Sequence, residues 1–231
     1  MSEEAAPVAD FTEPEPSSLR LIFTLGIAGF FAGCVIVGIF EFTKPYIETH
    51  RENDLNKAVF EVVPDSTLKQ EIVFENEAFG FRTAQTKKDA PKIYEAFDAD
   101  KNFKGYAIEA KGNGFQDTIE LIYGYNPAKK QIVGMKVLTH LETPGLGDKI
   151  VKDQTFIDNF DALSVEPEVV GVKTGTKANE VDCITGATIS SKAIISIINK
   201  STGDWLSRLP ESGHEMNYQA QEPATAPQEE E

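Results

Sequence analysis

From Leu21 to Phe40 the chain runs for twenty residues without a charge, LIFTLGIAGFFAGCVIVGIF. At 1.5 Å of rise per residue a helix of that length covers about 30 Å, the thickness of a bilayer's hydrocarbon core. The run is long for the apolar part of a signal peptide, has no basic segment ahead of it and no A-x-A exit behind it. A buried helix of a soluble protein is the poorer fit to so long and uninterrupted a stretch. The pattern therefore predicts one transmembrane helix over residues 20–42. Gly29 and Gly33 stand in the G-x-x-x-G spacing that lets helices approach closely. Arg20 ahead of the span and Lys44 and Arg51 behind it give no orientation from charge. Beyond Pro45, the apolar residues Ile47, Leu55, Ala58, Val59 and Val62 recur at helical spacing until Pro64, which predicts a juxtamembrane helix over 43–64.

Further on the period changes. Residues 65–90 are mixed and polar, with Lys87-Lys88-Asp89 as a loop. Lys92–Asp98, Tyr106–Lys111, Thr118–Tyr125 and Gln131–Thr139 then each suit a strand. Turn chemistry separates them, at Asp98 to Gly105, Gly112-Asn113-Gly114 and Asn126-Pro127 through Lys130. In the third of these segments Ile119, Leu121, Tyr123 and Tyr125 fall on one face, as a half-buried antiparallel strand requires. Thr155–Phe160 reads as helix and Glu168–Lys173 as strand. A closing helix from about Ser190 puts Ile194, Ile197, Ile198, Ser201 and Trp205 on one face, with Gly203 as a cap or break. Short connections make a meander, so the predicted fold is α+β: an antiparallel sheet with packed helices over residues 65–209, preceded by the single N-terminal transmembrane helix.

Charge changes the picture only at the ends. The formal net charge is −15. Residues 1–20 hold five acids and one base, and the tail after Leu209 holds six acids and no Lys or Arg. Both arms, 1–19 and 210–231, are rich in Pro, Ala, Ser and Glu and read as disordered. The mildly acidic body between them excludes nucleic-acid binding through a basic surface. Cys34 lies inside the apolar run, far from Cys183, which argues against a disulfide between them. His50, His140 and His214 lack metal-ligand spacing.

Two loops could hold chemistry. Asp182-Cys183-Ile184-Thr185-Gly186-Ala187-Thr188 reads D-x-x-T-G-A-T just ahead of a helix. Small neighbours leave the Thr188 hydroxyl open beside unpaired backbone N–H groups, where a phosphate is favoured; on spacing alone, a hydroxyl-rich turn before a helix is more often an ordinary N-cap, with Thr185 and Ser190 as further capping candidates. Glu142-Thr143-Pro144-Gly145-Leu146-Gly147 follows a strand. Its glycines let N–H groups face a flat or anionic ligand, Leu146 offers an apolar contact, and the same residues also suit a tight structural turn. Lys149 and Lys192 could offset phosphate charge, and Glu142 and Asp182 could approach as a carboxylate pair. Neither loop carries Walker or Rossmann spacing, and the chain has no G-x-S-x-G or H-E-x-x-H.

Taken together, HLETPGLGDKI (140–150) and DCITGATIS (182–190), in that order behind one membrane span, resemble the FMN-binding domain of the G subunit of the Rnf electron-transport complex. The resemblance covers roughly residues 20–208. The related C subunit of the sodium-pumping NADH:quinone reductase shares the flavin motif, usually with Ser where this chain has Thr185. The resemblance implies FMN joined through its phosphate to the Thr188 hydroxyl by a separate flavin transferase, with Asp182, Thr185, Gly186 and Ala187 as recognition and packing residues. It also implies that Glu142, Thr143, Gly145, Leu146 and Gly147 lie by the flavin. By the same resemblance the chain is an electron relay, inactive alone, in a complex that couples ferredoxin and NAD to ion movement. Its partners would be other membrane and iron–sulfur subunits and membrane lipid, and its flavin domain would face the periplasm or cell exterior. The C subunit of the sodium-pumping NADH:quinone reductase, a standalone anchored flavoprotein and a cofactor-free anchored assembly module are the rival readings.

Overall fold

The computed structural model describes residues 17–215 apart from Asn76, Ala84, Lys88 and Asp89. Most of the two acidic arms, and the Lys88-Asp89 part of the expected loop, lie outside the described residues. The chain divides into two compact units, Met1–Arg51 and Glu52–Glu231. In the first, helix α1 (Ser18–Val62, shared with the second unit) begins with the apolar run. Its side chains there, among them Phe23, Leu25, Phe30, Phe31, Ile36 and Ile39, are exposed, and the helix is long and apolar enough to cross a membrane. Pro45 lies inside α1, so the two helices expected on either side of it form one element.

In the second unit a seven-stranded antiparallel sheet takes the order β2-β1-β3-β4-β5-β6-β7, from β1 (Leu68–Glu75), β2 (Ala78–Phe81), β3 (Lys92–Phe97), β4 (Phe103–Asn113), β5 (Thr118–Asn126), β6 (Gln131–Thr139) and β7 (Leu163–Ser164). After β6 come the short helices α2 (Lys149–Lys152) and α3 (Gln154–Asp158). A separate parallel pair, β8 (Val170–Val172) and β9 (Glu180–Asp182), leads to α4 (Thr188–Trp205). The antiparallel sheet with helices packed on it is the predicted fold class.

Both faces of the sheet are covered. On one, Ile119, Leu121, Tyr123 and Tyr125 of β5 join Ile108 and the α4 residues Ile194, Ile197 and Ile198 in the main core. Buried Tyr123 and Ser201 hydroxyls meet there at 2.9 Å, which satisfies two groups that would otherwise be lost to water. On the other face Leu55, Ala58, Val59 and Val62 of α1 pack with Ala96, Ala107 and Ile122. The expected half-buried strand Thr118–Tyr125 is therefore buried on both sides, because the end of α1 covers the face the alternation had assigned to solvent.

Four further expectations are corrected. The polar stretch 65–90 contains β1 and β2. Its alternation is broken by Gln70, which is buried because its side-chain amide donates to the buried Glu95 carboxylate on β3 at 2.6 Å. Gly203 neither caps nor breaks α4, which continues to Trp205. That helix also starts at Thr188, two residues before its expected beginning, with Ala187 as its cap residue. Residues 210–215 are held against the domain instead of belonging to a loose tail. Tyr106 Oη donates to the Pro210 carbonyl at 2.6 Å, and His214 meets Glu95 through both its backbone N–H (3.0 Å) and its ring Nδ1 (2.8 Å).

Candidate functional site

Three chain segments converge at one end of the sheet. The first is the β4–β5 hairpin tip, closed by the Gly114 N–H donating to the Asp117 carbonyl at 2.8 Å. The second is the Glu142–Gly147 loop, folded back on itself by N–H groups of Leu146 and Asp148 that both donate to the Thr143 carbonyl. The third is the turn from Ile184 to Ala187 and the first turn of α4. Gly186 sits there at φ +85°, a conformation that L side chains rarely adopt. Ser191 Oγ ties this turn, accepting from Ile184 N–H at 3.1 Å and donating to the Ala187 carbonyl at 3.0 Å.

Between them lies a cleft of about 350 Å³, lined by Phe115, Glu142, Thr143, Leu146, Gly147, Gly186, Ala187, Thr188, Ile189 and Ser190. That volume is within the range of small-molecule and cofactor sites. Of the residues expected from sequence, the cleft brings together Glu142, Thr143, Leu146, Gly147, Gly186, Ala187 and Thr188. Gly145, Thr185 and Asp182 do not line it, nor do Lys149 and Lys192.

The chemistry of the lining is two-sided. Phe115, Leu146 and Ile189 are respectively 58%, 53% and 62% exposed, a concentration of uncovered apolar surface around one cleft that marks a binding face. At the other side, Thr188 is the first residue of an 18-residue helix and is exposed. Its hydroxyl has only a long contact, 3.4 Å, to the Ile184 carbonyl. Among the described residues no side chain caps this helix, so its leading N–H groups and the positive end of its dipole remain available to an anion. A flat, largely apolar ligand with an anionic end suits this lining.

Asp182 has a different duty. Its Oδ1 accepts from Gly175 N–H, while its own N–H donates to Asn159 Oδ1 at 3.0 Å, so it fixes the turn before β9. Glu142 and Asp182 have separate partners and form no carboxylate pair. Ser190 is no cap either. Its hydroxyl is buried and donates to Glu142 Oε2 at 2.5 Å. Burial pushes the Cys183 thiol above its ordinary range.

Sequence reasoning missed Phe115 and Ile189. A large aromatic between Gly114 and Gln116 at a hairpin tip was one available signal. An isoleucine off the buried stripe in the first turn of α4 was the other.

A second cleft of about 390 Å³ lies beside β6, lined by Glu61, Lys136, Ile150, Gln154, Asp161 and neighbours, away from these three loops. It carries none of the chemistry just described.

Comparison with known proteins bears on the first cleft. Residues 114–202, from the hairpin tip to the late turns of α4, match the FMN-binding domain family. The G subunit of the ion-translocating oxidoreductase complex of Aliivibrio fischeri is 30% identical over 179 residues, which cover 74% of this chain and 81% of that one. The chain belongs to the G-subunit family of these complexes. The G subunit of the proton-translocating ferredoxin:NAD(+) oxidoreductase complex of Clostridium ljungdahlii is 29% identical over 175 residues, 74% of this chain and 82% of its own. The Methanosarcina acetivorans G subunit is 24% identical over 182 residues, 79% and 91% of the two chains. Among solved structures, NqrC of Shewanella oneidensis superposes with a TM-score of 0.54 at 15% identity, covering 69% of this chain and 97% of its own. The C subunit of the Na(+)-translocating NADH-quinone reductase of Parabacteroides distasonis gives 0.52 at 20%, with 68% and 93% covered. At those identities the likeness shows that this G subunit has the same fold.

Proposed function

We propose that this G subunit is a membrane-anchored electron-transfer protein that carries FMN joined through its phosphate to the Thr188 hydroxyl. The observation that carries the reading is the cleft itself: an exposed hydroxyl at the uncapped start of a long helix, facing apolar walls from two other loops. Bound there, the flavin would supply the redox chemistry, accepting and releasing electrons at its ring system.

The chain's own residues do the rest. The first N–H groups of α4 stabilise the negative charge left on the phosphodiester, and Gly186 gives the turn the conformation that keeps Thr188 at the mouth. Phe115, Leu146 and Ile189 cover the apolar ring and exclude water from it, while Thr143 offers a hydroxyl at the opposite wall. Covalent attachment suits a carrier at a membrane surface, since the cofactor cannot diffuse away between turnovers. Thr185, Gly186 and Ala187 form the exposed-to-buried step that a flavin transferase would read. Gly145 and Asp182 act at one remove, through the folds of their loops.

In this reading α1 crosses the membrane once, the flavin domain lies on the periplasmic or extracytoplasmic side, and the membrane and iron–sulfur subunits of the complex are the electron partners. The names of the relatives support the assembly, and the long exposed apolar helix supports the anchor. The test is to co-express the chain with a flavin transferase, denature it in SDS and look for flavin fluorescence on the protein band. Fluorescence on the wild-type band that disappears in Thr188→Ala is the expected result. A dark wild-type band would overturn the reading, and a bright Thr188→Ala band would overturn the residue assignment.

A further inference from the structure

The loops that wall the cleft come from distant parts of the sequence, and one carboxylate ties all three. Glu142 is buried, at 4% exposure. Its Oε1 accepts from two successive backbone N–H groups of the hairpin tip, Phe115 at 2.7 Å and Gln116 at 3.2 Å. Its Oε2 accepts from Ser190 Oγ in the first turn of α4 at 2.5 Å. An ionised carboxylate has only acceptor sites, and bonds of this kind to a charged acceptor are the strong ones.

The closeness is built in. A Cβ at Gly114 would lie 2.3 Å from Oε1, and a Cβ at Gly147 would lie 2.6 Å from Oε2. Either side chain would displace the carboxylate, so both glycines are there to admit it. The cross-link is reinforced once at the rim, where Gln116 Nε2 donates to Thr143 Oγ1 at 3.2 Å. Both oxygens of Glu142 are thus engaged by the protein's own donors.

We infer that Glu142 is a positioning residue: a clasp that holds Phe115, Leu146 and the Thr188 turn at a fixed separation, and so gives the cleft its width. The inference rests on the flavin reading for its consequence, though the clasp itself exists without a cofactor. Removing it lets the hairpin tip swing away from α4 and opens the ring side of the cleft to water. Replacement by Gln keeps the clasp, because the amide oxygen still accepts from Phe115 and Gln116 and the amide nitrogen donates to Ser190 Oγ. A residue acting instead through its charge on the ligand would be as badly disturbed by Gln as by Ala.

Two measurements on the full chain decide it. In Thr188→Ala protein, which holds no attached flavin, Glu142→Ala is expected to speed hydrogen exchange at the Phe115 and Gln116 amides by about tenfold or more, with a smaller effect from the milder Ser190→Ala and none from Glu142→Gln. In flavin-loaded protein, Glu142→Ala is expected to keep the fluorescent band in SDS yet raise iodide quenching of the native flavin about twofold or more, again with rescue by Gln. Unchanged amide exchange in Glu142→Ala would overturn the clasp. Equal disturbance by Ala and Gln would overturn positioning in favour of charge. A dark wild-type band would count against the flavin reading alone, since the exchange experiment does not use the cofactor.

Discussion

The end of α1 rests on the sheet through a notch made by two glycines, and filling that notch is the sharpest test of the packing. Gly124 on β5 and Gly134 on β6 face each other across the strands, and both lie under the last turn of the helix. A Cβ at Gly124 would stand 1.9 Å from the Val62 carbonyl oxygen, 2.7 Å from its carbon and 3.2 Å from Val133 Cγ2. The first two atoms are backbone, so no rotamer change relieves the clash. The helix end must retreat about 1.5 Å to reach the 3.4 Å of ordinary contact. That retreat opens gaps beneath Ala58, Val59 and Val62, which are at most 1% exposed. Overpacking alone costs about 1–3 kcal/mol, and partial loss of burial adds to it. The gain from replacing a strand glycine offsets only about 0.5–1 kcal/mol. Gly124→Ala should therefore destabilise by about 3–5 kcal/mol, a large part of an ordinary domain's stability. At Gly134 the same carbon would lie 2.8 Å from the carbonyl oxygen, so Gly134→Ala should cost about 1–2 kcal/mol. Denaturant unfolding of the full chain in mild detergent reads this directly. The single tryptophan, Trp205, packs edge-on against Phe74 and Phe79 in the same domain and reports its loss. A Gly124→Ala variant within about 1 kcal/mol of wild type, or no worse than Gly134→Ala, would show that the helix end does not bear on the sheet in this way.

Glu95→Ala would remove the carboxylate that accepts from the buried Gln70 amide and would free His214, so a loss of about 2–4 kcal/mol is expected in the same unfolding assay. Trypsin cleavage after Arg208 should also quicken, as residues 210–215 lose their hold. Asp98 accepts from the Asn102 side chain at 3.0 Å and from its backbone N–H at 2.8 Å, and with Lys104 these bonds pull its carboxyl down to about 2. A depressed carboxylate contributes stability above its unfolded value, and that stability is lost as pH falls through the folded one. Asp98→Asn should therefore lower the unfolding midpoint at neutral pH and flatten its pH dependence between about pH 4 and 2, so that variant and wild type converge at the acid end.

Where a segment's environment matched its own composition, the elements could be read directly. Lys92–Phe97 and Gln131–Thr139 needed only their alternation and flanking turns, and the face formed by Ile119, Leu121, Tyr123 and Tyr125 is the face that packs on α4. Reading failed where a partner distant in sequence reversed the local signal. Gln70 makes β1 look like a loop until Glu95, 25 residues on, supplies its hydrogen bond. Ile122 belongs on the solvent face until the end of α1 arrives to cover it. Pro45 looked like the boundary between two helices because local rules treat an interior proline as a break, yet α1 passes through it.

The site divides along the same line. Thr188 and Leu146 both line the cleft, as the resemblance carried by two short contiguous motifs implied, whereas capping and turn rules alone left each open. Glu142 lines the cleft as the resemblance implied, and Asp182, implied as a recognition and packing residue, lies outside the lining, but the hydrogen bonds of both acids go to the protein. In the fold Asp182 turns back to Gly175 N–H, and Glu142 turns inward to Phe115, Gln116 and Ser190. These two acids explain how the exposed members can be exposed. A threonine hydroxyl and three apolar side chains left uncovered at a cleft mouth gain nothing for folding, so the loops that present them must be fixed by something else. Glu142 does that fixing between the hairpin tip and the helix start, and Asp182 holds the turn before β9, from which the chain leads on to Thr188. A motif of this kind thus holds two populations, residues that face the ligand and acids that hold those residues in place, and only the three-dimensional partners of each side chain tell one from the other.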